Sequence, residues 1–140
     1  MRFKKWKPPK FKKITGSLYK TKWNWFVTCP ENLKLGKNVD IGISTYINAH
    51  FGVIIEDNVQ IGAHCSIYSH NTINNTKGSV HLKKGCCIGA NSVLLPNVVV
   101  KEGRLIKANS TVFRHKNVVF SRSPLHHDYV ETVLEGEDKN

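Results

Sequence analysis

The chain has 140 residues, 40% of them apolar, and a formal net charge of +11. That length supports one domain with a modest core, and no apolar run approaches the ~18 residues of a membrane-spanning helix. The opening MRFKKWKPPKFKK is charged with no apolar stretch behind it, so the sequence predicts no secretory leader and a cytoplasmic protein.

Residues 1–32 form a basic and aromatic arm in which Arg2 and a series of lysines alternate with Phe3, Trp6 and Phe11. Such alternation suits nucleic acid or an anionic membrane surface. Pro8 and Pro9 break any amphipathic helix there, and no nucleic-acid recognition motif follows, so neither a nucleic-acid partner nor a membrane span is expected. Anionic small molecules explain the charge equally well. Trp23, Trp25 and Phe26, ahead of Pro30, are expected to cap whatever follows.

From residue 33 an apolar residue returns every sixth position, a period belonging neither to a helix nor to a strand. The series runs Leu35, Ile41, Ile47, Ile55, Ile61, Ile67, Ile73, Leu82, Ile88, Leu94, Val100, Ile106 and Val112. It breaks phase twice, by two residues around Phe51–Ile54 and by three within Asn74–Val80. The residue after the apolar one is often Gly (Gly36, Gly42, Gly62, Gly89), and the residue four on is often small (Thr45, Cys65, Cys86, Ser92, Ser110). A six-residue unit suits a triangular coil of short flat strands and corners, three sides closing a turn of roughly 18 residues stacked at the ~4.8 Å strand spacing. The expected fold is therefore an all-β parallel β-helix of about four to five coils over residues 33–113, followed by a tail at 114–140 that folds back over the top or side.

The stretches IGAHCSIYSHNT and KKGCCIGANSVLLPNVVV resemble the left-handed β-helix hexapeptide-repeat acyltransferases, which acetylate sugars, antibiotics and amino acids from acetyl-CoA. The resemblance covers residues 33–113 and implies the left hand of the helix, acetyl-CoA as acyl donor with no metal, and a homotrimer with active sites between prisms. Many sugar acetyltransferases of this family place a His at a strand end before a protruding loop. SHNTINNTKGSVHLKKGCCIGANSV keeps that order, so the resemblance carries the general-base role onto His70. An acceptor hydroxyl or ammonium must lose a proton to attack a thioester carbonyl, and imidazole is the side chain suited to take it near neutral pH.

Reading the repeat as columns puts His50 and His70 in one corner on adjacent turns, with Asn91 one turn higher. His50, Asn48, Asn71 and Asn91 are candidate substrate contacts, because amides and imidazoles both donate and accept. The resemblance places the coenzyme along the C-terminal turns, with Ala90, Lys107, Ala108 and Arg122 as contacts, the basic ones for phosphates. There VVFSRSPLHHDY keeps Pro124 of the family's GNPAK-like loop, and LLPNVVVKEG has Asn97 where the family has Gly. His64 and His81 fall off the column and are read as structural or surface residues.

Cys29, Cys65, Cys86 and Cys87 lack zinc-knuckle spacing and are read as reduced thiols. Cys65 and Cys86 are assigned to the core above Thr45, at one inward position on adjacent turns, and Cys87 to the outside. NNT at Asn74 and NST at Asn109 are incidental without a secretory route. The function expected is acetyl-CoA-dependent acetylation of a sugar, at the amino group of a nucleotide-linked amino sugar. The alternatives are O-acetylation, a γ-carbonic-anhydrase-like metalloenzyme, for which no two histidines have the five-residue spacing, and a non-catalytic β-helix scaffold.

Overall fold

The computed structural model describes residues 5–124 and the backbone of Tyr129–Thr132. The six-residue period becomes a three-sided, left-handed parallel β-helix whose sides are built from strands of two or three residues, apart from the longer last strand of the first side. The first side stacks Phe26–Thr28, Tyr46–Asn48, Ser66–Tyr68, Val93–Leu94 and Thr111–His115. The second stacks Leu33–Leu35, Val53–Ile55, Val80–Leu82 and Val99–Val100, and the third Asp40–Ile41, Gln60–Ile61, Cys87–Ile88 and Leu105–Ile106. Every pairing within the coils is parallel and in register, so each inward residue sits over its counterpart: Val27, Ile47, Ile67, Leu94 and Val112 on the first side, and Leu35, Ile55, Leu82 and Val100 on the second. Apart from Leu35, at the basal end, these columns are fully buried. They form the core.

One residue of the apolar series departs from it. Ile73 is 95% exposed, at the tip of a hairpin made by His70–Asn71 and Thr76–Lys77. The second phase break is therefore nine residues long, leaving the prism at His70 and rejoining it at Ser79, since Ile67 and Leu82 lie fifteen positions apart and flank one corner. Sequence periodicity counted Ile73 as a coil residue because it happens to fall six after Ile67. The two isoleucines should respond oppositely to substitution. Ile67→Ala removes a side chain with no exposed surface and should cost about 2–5 kcal/mol. Ile73→Asn should shift stability by less than ~0.5 kcal/mol, both read by chemical denaturation.

Small polar residues line the inside of the corner before the first side and satisfy one another between coils. Thr45 Oγ1 donates to Gly62 O at 2.8 Å and accepts from Cys65 N at 3.2 Å. Ser92 Oγ donates to Lys107 O at 3.1 Å. Cys65 belongs to this column. Cys86 lies instead on the run into the third side, one coil above Val59. The two thiols are both buried but do not share one inward position, because they precede different sides.

Both ends of the first side are closed by antiparallel hairpins. At the base, Leu18–Lys20 pairs with Phe26–Thr28 and with the edge strand Lys12–Thr15; at the top, Val118–Arg122 folds onto Thr111–His115 and carries Tyr129–Thr132. Capping moves the unpaired edge to a strand rich in lysine, a usual protection against edge-to-edge association. Trp25 is buried under the first coil, with Phe11 against its ring edge at 5.8 Å, while Trp23 stays half exposed. Trp6 adds to the closure by donating from Nε1 to Val39 O at 3.1 Å.

Candidate active site

The corner between the first and second sides carries the densest group of chemically capable side chains. His50 and His70 occupy it on adjacent coils, their ring centroids 6.1 Å apart. Phe51 fills the space between them, 4.6 Å from the His50 ring and 5.1 Å from that of His70. Lys77 Nζ lies 5.5 Å from the Phe51 ring, so the hairpin that leaves at His70 returns a cation to the same spot.

His70 Nε2 lies 3.4 Å from Asn75 Oδ1. An amide oxygen only accepts, so Nε2 carries the proton in this pair and the basic lone pair falls on Nδ1. Asn75 itself adopts a positive φ of 53°, which aims its side chain back across the hairpin. Below, His50 Nδ1 lies 3.7 Å from Cys29 Sγ, and His50 O accepts from Asn32 Nδ2 at 3.1 Å. Beside the corner opens a cleft of about 410 Å³ lined by Asn32, Lys34, His50, Phe51, Ile54 and Ser79, among others.

Asn48 is half-buried, and its Oδ1 accepts from His50 N at 3.1 Å and from Ser69 Oγ at 3.3 Å. It ties the two histidine coils together. Asn71 Oδ1 accepts from Ile73 N at 3.3 Å and shapes the hairpin. Asn91 lies elsewhere: it sits between the third and first sides, at φ 60°, stacked with Asn24, Ser44, His64 and Asn109. The nine-residue hairpin explains the difference, because with its full length counted, the residue of the next coil at the histidine corner is Asn97, which stands over Ser79 where the chain rejoins the prism. Asn97 has φ 70°, donates from Nδ2 to Lys77 O at 3.3 Å and props the hairpin base. Sequence reasoning passed over Asn97, Asn75, Lys77 and Cys29. The Asn-for-Gly change in LLPNVVV was the one signal for the first.

Ala90, Lys107 and Ala108 also lie at the corner between the third and first sides, in the upper coils. Ser123 Oγ donates to Ala108 O at 3.2 Å, which brings the strand end at Arg122 beside them. One side of the prism separates this group from the histidines, roughly 15–20 Å along a strand at ~3.3 Å per residue. The structure thus forms two clusters at two corners, not one.

His81 lies off both corners, on the second side, where its Nε2 pairs with Glu56, whose other oxygen accepts from Lys84 N at 3.1 Å. Among the described residues no group of three or more His, Cys, Asp or Glu side chains is placed to hold a metal ion, and no helix is long and apolar enough to cross a membrane.

Burial decides the thiols. Desolvation raises Cys65 above its ordinary value and pushes Cys86 up to about 12, with the charges of Cys87 and Glu56 adding to the latter. Cys29 and Cys87 are partly exposed. Two of the four thiols should therefore react with a disulfide reagent at pH 8 in native protein, and all four in denaturant. The sign for stability follows: the unfolded Cys86 thiol ionises from about pH 9 while the folded one resists to about 12, so its contribution is present below 9 and is lost as pH rises through that window.

No protein-family profile matches the chain, and no curated protein sequence matches it. Among solved structures it is similar to a point mutant of AntD, an N-acyltransferase from Bacillus cereus in complex with dTDP and coenzyme A. The TM-score is 0.55 at 19% sequence identity, over 84% of this chain and 80% of that one. The likeness is one of fold.

Proposed function

We propose that the protein is an acetyl-CoA-dependent acetyltransferase that acts on a sugar, acetylating the amino group of a nucleotide-linked amino sugar, with His70 as general base. The observation that carries this reading is the His70 corner itself: an imidazole with its Nδ1 lone pair free of the hairpin, at the root of a long excursion from a rigid scaffold, on a fold shared with an N-acyltransferase in complex with dTDP and coenzyme A. Loops leaving rigid scaffolds are where binding groups gather.

In the reaction the acceptor nitrogen attacks the thioester carbonyl, its surplus proton passes to His70 Nδ1, the C–S bond breaks, and coenzyme A leaves as the thiol once it has regained that proton. No covalent enzyme intermediate forms. Asn75 holds the tautomer that leaves Nδ1 basic, and Lys34 on the cleft wall, with Lys77 over the neighbouring Phe51 ring, gives the corner a charge suited to a nucleoside diphosphate.

The separation of the two corners supports a homotrimer. Ala90, Lys107, Ala108 and Arg122, the residues proposed to contact the coenzyme, cannot meet His70 within one chain. A neighbouring prism packed against the first side can bring its own coenzyme corner to the histidine corner, completing three equal sites by cyclic symmetry. His50, Asn48 and Asn71 then border the acceptor sugar.

The test is release of free thiol from acetyl-CoA against nucleotide-linked amino sugars, nucleotide-linked neutral sugars and plain sugars. Turnover confined to amino sugars is the expected result. Turnover with neutral sugars alone would move the acceptor to a hydroxyl, and no turnover by folded, trimeric protein would overturn the reading.

A further inference from the structure

The positive charge of this chain is concentrated in its first thirty residues. Residues 1–30 hold nine Lys and Arg and no Asp or Glu, while the remaining 110 hold twelve basic against ten acidic residues. Edge protection accounts for lysines on the strand Lys12–Thr15, whose side chains alternate between faces. It does not account for five lysines converging on one cleft.

That cleft, of about 550 Å³, lies between the arm and the basal hairpin and is lined by Lys7, Lys10, Lys12, Lys20 and Lys22 together with Thr21, Phe11, Pro8 and Trp23. Among the described residues no carboxylate lines it. Lys12 and Lys20 are direct cross-strand partners, an arrangement of like charges that destabilises a sheet unless something neutralises it. Lys22 rests over Trp23, its Nζ 4.6 Å from the ring centroid, and none of the other four has an ion-pair partner among the described residues.

A second observation is independent of charge. Thr21, also on the cleft wall, is 2% exposed, and its Oγ1 is buried with no hydrogen-bond partner. Buried hydroxyls are ordinarily satisfied, and the exceptions call for an explanation such as a missing ligand. An acceptor oxygen reaching into the cleft would satisfy it.

We propose that this basal cleft is a binding site for a multiply phosphorylated small molecule. Phosphate oxygens answer both needs at once: several negative charges among the ammonium groups, and acceptors for the Thr21 hydroxyl. The volume is that of a small-molecule pocket, and half-exposed Trp23 offers a face for the apolar part of such a ligand. A concave wall with a buried hydroxyl suits a soluble ligand better than a flat anionic bilayer. The cleft shares no residue with the His50 and His70 corner, so the site stands or falls independently of the acyl-transfer reading.

The experiment is calorimetric titration of the full chain with inorganic tripolyphosphate at 150 mM salt, with Trp fluorescence as a second signal. Saturable binding at one site per chain is expected, weakened at least ~30-fold in the Lys12→Gln/Lys20→Gln double variant, the size expected for losing two charge-assisted contacts. Without ligand, that variant should melt no lower than wild type, because removing the pair relieves repulsion and shows that the fold survives. Thr21→Val should weaken binding several-fold with five lysines still present. No saturable binding, or equal affinity in the double variant, would overturn the site. Binding to phosphatidylglycerol vesicles without binding to tripolyphosphate would overturn it in favour of a membrane surface.

Discussion

His70→Ala should lower kcat for acetyl transfer by about 10²–10⁴-fold, the usual contribution of a positioned general base, while the melting temperature stays close to that of wild type. The side chain is half-buried at a hairpin root, and its one side-chain hydrogen bond, to Asn75, is long at 3.4 Å and exposed; no core packing is lost with it. KM for acetyl-CoA should change little, since the residues proposed to hold the coenzyme, Ala90, Lys107, Ala108 and Arg122, are untouched by the substitution. Asn75→Ala provides the companion test. It leaves the imidazole but frees its tautomer, so kcat should fall by less than in His70→Ala, with KM again steady. A His70→Ala enzyme that kept its kcat would put the base elsewhere, and a loss confined to KM would make His70 a binding group.

How far the sequence could lead is clearest at that same corner. His50 and His70 were legible as one column because the two-residue insertion between their coils lies in a single corner and shifts the phase by a countable amount. Asn91 was not. The hairpin that separates it from His70 contains Ile73, an isoleucine in phase by accident, and no periodicity can reveal that a residue in step with the core points into solvent. The same slip put Cys86 in the column of Cys65. Partners such as Asn75 and Cys29 were invisible for another reason: their closeness depends on how a hairpin curls and on a left-handed backbone angle at Cys29, φ 58°, neither of which is periodic. The prism itself was legible because every coil repeats the same demand for one inward apolar side chain.

The second large effect concerns glycines, where the sequence pattern was seen but its cause was not. Gly42, Gly62 and Gly89 each follow an inward isoleucine of the third side, a placement that suggests turns requiring positive φ. Their φ is not positive; the left-handed corner positions are held mostly by other residues, Asn91 and Asn109 among them. What the glycines supply is room. A Cβ on Gly89 would stand 2.4 Å from Ala108 N and 2.7 Å from its Cα, backbone atoms of the next coil that cannot swing aside. Gly89→Ala should therefore push adjacent coils apart and cost about 3 kcal/mol, the upper part of the range for overpacking. Gly85 is the converse case, with φ 72° and open space where its Cβ would stand, no other atom lying within 4 Å. Gly85→Ala should cost roughly 1–2 kcal/mol through the left-handed backbone alone, and Gly85→Asn less, because Asn accepts that conformation. Gly89→Asn should be at least as damaging as Gly89→Ala. Equal tolerance of Asn at both positions, measured by denaturant titration, would mean that the close approach of coils is not what fixes Gly89.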